Sequence, residues 1–327
     1  MTRRISFISL GGTISSKVSS TGASPALDSS DLLSLINTDI GDVKINAVPY
    51  RPAPSASLTF QELHDIAVLV KKEITDGSEA VILSQGTDTL EESSFYLDLV
   101  HDSEVPVVMT GAMRNADLLS ADGPSNILSS ILVSLDPESR GMGVLVVMND
   151  EIHTARYVRK ANTSSLSAFT SHPLGPVGWV SEGRVRIAMK PSRTVRVKFP
   201  EKEGGKKVAL LKVTLSDDLR LLESVESLGY DGLILEALGG GHMPGWNLDV
   251  IKRLARKIPV ILCSRTGGGD VLRSTYGFPG SERDLISGGI IPAGDLSGTK
   301  ARILLKLLLE NGYGKDDVLS FVERHFY

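Results

Sequence analysis

Two threonines and one aspartate stand in turns built from small residues, where they could take part in acyl transfer. Thr13 closes Gly11-Gly12-Thr13, and Thr87 and Asp88 lie in Gln85-Gly86-Thr87-Asp88-Thr89. A threonine hydroxyl is a poor nucleophile at neutral pH and needs a base or an electropositive neighbour. Thr87-Asp88 offers a hydroxyl beside a carboxylate. Lys160, in Arg156-Tyr-Val-Arg-Lys-Ala-Asn-Thr163, offers an amine for proton transfer. Each has a plainer reading: a lone lysine is most often solvated, and a Thr-Asp pair most often caps a helix. Thr87 or Asp88 would cap one beginning near Leu90. A third turn of the same kind is Thr110-Gly111-Ala112-Met113-Arg114.

These turns need elements that bring them together. Arg4–Ser9, Lys44–Pro49, Ala80–Ser84, Val105–Thr110 and Gly143–Met148 read as buried strands, brief, rich in Val and Ile, and closed by Gly, Ser or Asn. Helical patterns lie between them. In Thr59 to about Thr75, Thr59 is the N-cap, Glu62 completes a capping box, and Leu63, Ile66, Ala67 and Val70 follow at helical spacing up to Gly77. Asp122–Leu135 is a second helix. Alternating strands and helices predict parallel strands joined by right-handed crossovers. In such a sheet ligands bind beyond the carboxyl ends of the strands, where all three turns fall. Ser15–Ser30, rich in serine, reads as a mobile solvated loop.

The pattern changes over Lys190–Gly205, which is charged and carries Pro and Gly as a linker does. Beyond it, Val208–Val213, Gly232–Glu236 and Pro259–Ser264 read as strands, and Asp217–Leu228, Leu248–Arg256 and Ser297–Leu309 as helices. The fold class is therefore α/β. A larger N-terminal domain (1–188) has a mostly parallel sheet flanked by helices, and a linker (189–206) leads to a smaller C-terminal α/β domain (207–327).

Composition narrows the function. The 327 residues are 41% hydrophobic and 23% charged, ordinary for a globular protein. A formal charge of -4 argues against nucleic acid as the main partner. The single cysteine, Cys263, excludes an intramolecular disulfide, and its apolar surroundings predict a buried, inert thiol. The N-terminal apolar run Ile5–Leu10 stops at Gly11-Gly12, short for a signal-peptide core. With no stretch near the roughly 20 apolar residues of a membrane span, the expectation is a cytoplasmic protein without a membrane partner. Dinucleotide, P-loop, Gly-x-Ser-x-Gly and His-Glu-x-x-His signatures are absent from the sequence.

The combination resembles the bacterial-type L-asparaginases, a family that also holds asparaginase-glutaminases and the asparaginase-like subunit of archaeal glutamyl-tRNA amidotransferase. The resemblance rests on Gly11-Gly-Thr-Ile14, Gln85-Gly-Thr-Asp-Thr-Leu-Glu-Glu92, Pro106-Val-Val-Met-Thr-Gly-Ala-Met-Arg114, Ser120-Ala-Asp-Gly-Pro-Ser-Asn126 and Gly143-Val-Leu-Val-Val-Met-Asn-Asp150, in family order. Many members carry a tyrosine a dozen or so residues after the nucleophile; Lys17–Pro25 holds none.

The resemblance implies hydrolysis of an amino-acid side-chain amide to the acid and ammonia, with no metal or organic cofactor, by a homodimer or homotetramer. It implies Thr13 as nucleophile, Thr87, Asp88 and Lys160 as the second catalytic group, and Ser55 on the substrate's α-carboxylate. Thr87 and Asp88 would also hold the α-carboxylate and α-ammonium, and Ala112 would line the site near the scissile amide. His242 and Asp270 fall where a neighbouring subunit completes the site in related enzymes. Whether Thr13, Thr87 or both in sequence attack stays open. Alternatives are a glutaminase, an ammonia-supplying subunit of a tRNA-dependent amidotransferase, and a non-catalytic amino-acid-binding module.

Overall fold

The computed structural model describes residues 2–20, 22–36, 41–192 and 195–326. Thr21 of the serine-rich stretch and Arg193 and Thr194 of the expected linker lie outside the described residues. The chain divides into two compact units, Met1–Arg196 and Val197–Tyr327.

In the first unit the elements run β1 (Arg3–Ser9), β2 (Ser16–Ser19), β3 (Gly22–Pro25), α1 (Ser29–Ser34), β4 (Val43–Val48), α2 (Phe60–Thr75), β5 (Ala80–Ser84), α3 (Leu90–Val100), β6 (Val107–Thr110), α4 (Gly123–Leu135), β7 (Val144–Met148), β8 (Glu151–Thr154), β9 (Arg159–Lys160), β10 (Phe169–Thr170), β11 (Gly178–Ser181) and β12 (Arg184–Ile187). Eight strands form one sheet in the order β12-β11-β8-β7-β6-β5-β1-β4. From β4 through β7 the neighbours are parallel. Every residue of β5 and β7 is buried, which is why they read as continuous apolar runs rather than alternating ones. Ile5, Phe7, Ile82, Val108, Ile127 and Ile131 share one core cluster.

The other edge is antiparallel, which alternation alone did not predict. Asn149 and Asp150 take positive φ (52° and 60°) between Met148 and Glu151, which pair across the turn. That is the geometry of a two-residue hairpin, so β8 returns antiparallel to β7. Glu182 and Gly183, also at positive φ, do the same between β11 and β12.

The serine-rich stretch corrects another expectation. Its backbone forms a two-stranded antiparallel ribbon, with Ser16 opposite Pro25 and Ser19 opposite Gly22. Ala26 and Leu27 then donate to the Ser15 carbonyl. Small hydroxyl residues favour turns by composition, but here their main chain pairs with itself. The capping box at α2 forms as read. Thr59 Oγ1 accepts from the Glu62 N–H, and Glu62 accepts from the Thr59 N–H at 2.8 Å.

The second unit holds β13 (Val208–Lys212), α5 (Arg220–Ser227), β14 (Gly232–Ala237), α6 (Leu248–Lys257), β15 (Val260–Ser264), α7 (Glu282–Ser287), β16 (Ile291–Pro292), α8 (Gly298–Glu310) and α9 (Lys315–Phe326). Its four strands are parallel in the order β13-β14-β15-β16. The helix expected from Asp217 starts only at Arg220. Asp217 accepts from the N–H groups of Thr214 and Leu219, Asp218 accepts from that of Arg220, and Leu219 takes φ 60°. These side-chain bonds hold a turn where propensity alone would extend the helix. Cys263 is fully buried and burial pushes its thiol up, as an inert sulfhydryl requires.

Candidate active site

Strands β1, β5 and β6 are adjacent in the sheet, so the turns that follow them stand side by side. The ladder continues past the strand ends. Leu10 donates to the Ser84 carbonyl at 2.8 Å, Gln85 to that of Thr110 at 2.9 Å, and Ala53 to that of Leu10 at 2.9 Å. The glycines allow the turns to touch. A Cβ on Gly12, which has φ 91°, would lie 2.2 Å from the Cα and N of Gly86. A Cβ on Gly86 would lie 2.7 Å from Ser55 Oγ. No side chain fits at either place, so only glycine permits both contacts. The residues that follow these two glycines are Thr13 and Thr87.

Thr13 opens a short 3₁₀ turn, Thr13–Ser15, and is half-buried. The turn is tied down by the Gly12 carbonyl, which accepts from the Ser15 N–H, Ser15 Oγ and Ser16 Oγ. Thr87, Asp88 and Thr89 form another 3₁₀ turn ahead of α3. This overturns the capping expectation. The residue before α3 is Thr89, no side-chain bond caps the helix, and Thr87 and Asp88 turn to Lys160 instead. Lys160 Nζ donates to Thr87 Oγ1 at 2.9 Å and to Asp88 Oδ1 at 2.7 Å. Thr87 is buried, the lysine side chain is 16% exposed and the aspartate 67%. A hydroxyl, an amine and a carboxylate thus form one hydrogen-bonded chain that runs from the interior to solvent. Asp88 and Lys160 line a cleft of about 490 Å³ with Ala161, Asn162 and Thr163.

Ser55 is buried on its own 3₁₀ turn, Ser55–Ser57, with its Oγ against Gly86. Thr89 Oγ1 donates to the Ser55 carbonyl at 3.0 Å, which links this turn to the Thr87 turn. Ala112 is fully buried in the same core cluster as Ile14 and Ile127. Thr13, Ser55, Thr87, Asp88, Ala112 and Lys160 all belong to the first unit.

His242 and Asp270 belong to the second. His242 Nε2 lies 3.2 Å from Glu282 Oε2, and its ring packs edge-on against Tyr276 and Phe278. Burial works against the Glu282 charge, but N–H donors from Tyr276 and Thr275 together with His242 outweigh it and hold the carboxyl low. Asp270 is exposed.

Several supports were not singled out from the sequence. Asp122 accepts from the N–H groups of Met113 and Arg114. Asn126 Nδ2 donates to the Gly111 carbonyl at 3.0 Å, while its Oδ1 accepts from Asn149 N–H at 2.9 Å. Asp122 and Asn126 are four residues apart, one helical turn, and that spacing is the signal that could have marked them as a brace for the Gly111 turn. Glu91 accepts from the Lys160 N–H at 2.6 Å. Nothing local to Glu91 announces that contact, because its partner is distant in sequence.

The chain is similar to known proteins over both of its units. Residues 4–193 match the family model "Asparaginase, N-terminal", and residues 207–320 match "Glutaminase/Asparaginase C-terminal domain". A probable L-asparaginase of Deinococcus radiodurans is 34% identical, over 96% of this chain and 95% of its own. An L-asparaginase of Bacillus licheniformis is 30% identical, over 94% of this chain and 96% of its own. The crystal structure of a probable cytoplasmic L-asparaginase from Campylobacter jejuni superposes with a TM-score of 0.88 at 27% identity, covering 98% of this chain and 99% of that one. With both domains matched and the turns that carry its hydroxyl groups packed together, the chain belongs to the asparaginase family.

Proposed function

We propose that the protein is an amidohydrolase that converts L-asparagine to L-aspartate and ammonia through a threonine nucleophile. The observation that carries the reading is the Thr87–Lys160–Asp88 chain, with Nζ at 2.9 Å and 2.7 Å from its two partners. A zwitterionic amino acid needs an anion for its ammonium group and donors for its carboxylate. Asp88 supplies the first at the cleft mouth; Ser55, Thr87 and turn N–H groups supply the second. In this reading the Thr13 hydroxyl attacks the amide carbon and forms an ester. The hydroxyl proton passes to the amide nitrogen by way of the Thr87–Lys160–Asp88 chain, and ammonia leaves. Water then cleaves the ester and returns a proton to Thr13. Negative charge on the amide oxygen is stabilised by turn N–H donors, each worth about 3 kcal/mol when well placed.

Ammonia release from asparagine and from glutamine, measured separately, tests the reading. Asparagine turnover is expected, and Thr13→Ala should abolish it. Thr87→Val and Lys160→Met should each lower kcat by roughly tenfold or more, with the thermal unfolding midpoint retained. Ser55→Ala should mainly raise KM, because its contact exists throughout the reaction. Absence of ammonia from either substrate above the Thr13→Ala level would remove the reading. Asparagine binding without turnover would turn it into that of a binding module.

The proposal extends to a cytoplasmic homodimer or homotetramer that acts on a free amino acid, without nucleic-acid or membrane partners. Among the described residues no helix is long and apolar enough to cross a membrane. The expected neighbouring-subunit role of His242 and Asp270 depends on this assembly. It is supported by the exposure of Tyr276 and Phe278 beside His242 (44% and 46%).

A further inference from the structure

Lys160 carries its amine on a flexible four-carbon arm, and it stands on a ribbon of two residues per strand. Among the described residues strand β9 pairs only with β10, Lys160 opposite Phe169, in a sheet of its own apart from the eight-stranded one. Such a ribbon is too short to fix its own position against the β5 turn. An ångström of drift at the Lys160 Cα would carry Nζ out of reach of Thr87 Oγ1 or Asp88 Oδ1.

Glu91 supplies a restraint at the residue that carries the amine. It sits in the first turn of α3, four residues after Thr87 and three after Asp88. Its Oε2 accepts the Lys160 main-chain N–H at 2.6 Å, a short bond of the charge-assisted kind. The five-residue segment Thr87–Glu91 therefore grips the lysine at both ends. Thr87 and Asp88 hold the ammonium end, and Glu91 holds the main chain from which the arm departs. One continuous passage from 3₁₀ turn to α-helix carries all three acceptors, so the distance between the two grips is set by that passage.

We propose that Glu91 is a positioning residue for Lys160, acting through the reach of its carboxylate oxygen to the Lys160 N–H. The proposal rests on the reading of Thr87, Asp88 and Lys160 as reacting groups. Glu91→Asp and Glu91→Gln separate reach from charge. The aspartate keeps the charge and withdraws the acceptor by one carbon; the glutamine keeps the reach and removes the charge. With asparagine as substrate, Glu91→Asp should lower kcat by roughly tenfold or more, with a far smaller change in KM, and Glu91→Gln should retain most of the wild-type kcat. The opposite order would overturn the proposal. A double-mutant cycle tests the route. In a Lys160→Met background, Glu91→Asp should cause no further loss, whereas losses that multiply would show that Glu91 acts independently of Lys160 and would overturn it. Lys160→Met with wild-type turnover would remove the site reading and the proposal together. A slow Lys160→Met beside a wild-type-like Glu91→Asp would remove the proposal alone.

Discussion

His153 shows how much one residue's chemistry depends on where the chain carries it. It lies in β8 with its ring fully buried. Nδ1 is 2.9 Å from Ser171 Oγ, while Nε2 is 3.4 Å from Glu151 Oε2 and makes no hydrogen bond among the described residues. Burial lowers its pKa from the ordinary 6.5 to about 4. The imidazole is therefore neutral in the folded protein across a range where the unfolded chain is protonated. Between those two values the unfolded state binds more protons, so stability rises with pH through this window and is lost as pH falls toward 4. The loss is on the order of 3 kcal/mol once pH has passed the lower value. His153→Gln should flatten this acid limb, read as the difference in urea unfolding free energy between pH 7 and pH 5. An unchanged difference would show that other groups carry the acid sensitivity. Ser171 follows directly on β10, the partner of the Lys160 strand, so the same histidine also ties that ribbon to the main sheet.

Among the elements, the turns after β1 and β5 are tightly constrained. Gly12 combines a left-handed φ with backbone contact to Gly86, so it fails two tests for any larger residue. Gly12→Ala should destabilise the protein by more than about 2 kcal/mol and lose asparagine turnover, checked by denaturant unfolding and ammonia release. A stable, active Gly12→Ala would mean the two turns separate in solution. The elements also show what local sequence conveys. The α2 capping box was legible because every partner lies within four residues. The Asn149-Asp150 hairpin carried its signal in plain view, two turn-forming residues after an apolar run, yet a strand-helix alternation led past it. Asp122 stands where a cap would be expected, but its carboxylate is committed to Met113 and Arg114, nine and eight residues upstream.

At the scale of the whole molecule, the first unit has a mixed sheet and the second a parallel one, and Leu235, Leu254 and Leu262 belong to a separate core in the second. The proposed assembly belongs here. Size-exclusion chromatography with light scattering should give a dimer or tetramer of the 35.0 kDa chain. In that state His242→Ala and Asp270→Ala should raise KM for asparagine more than they lower kcat. A monomer with full turnover would remove both residues from the site and the oligomer from the proposal.

The sequence by itself determined the α/β class, the strands that end in small-residue turns, the family, and the hydroxyl, carboxylate and amine candidates. Each of these is written in periodicity or in motifs of a few residues. Only the tertiary structure decided that Thr87 and Asp88 serve Lys160 rather than cap α3, that Ser16–Pro25 pairs as a ribbon, and that Glu91 holds the Lys160 main chain. The physical reason is separation. Lys160 is 72 residues from Asp88 and 69 from Glu91, and hydrogen bonds across that separation are set by how the chain packs β9 against α3 and the turn before it, which local spacing does not encode.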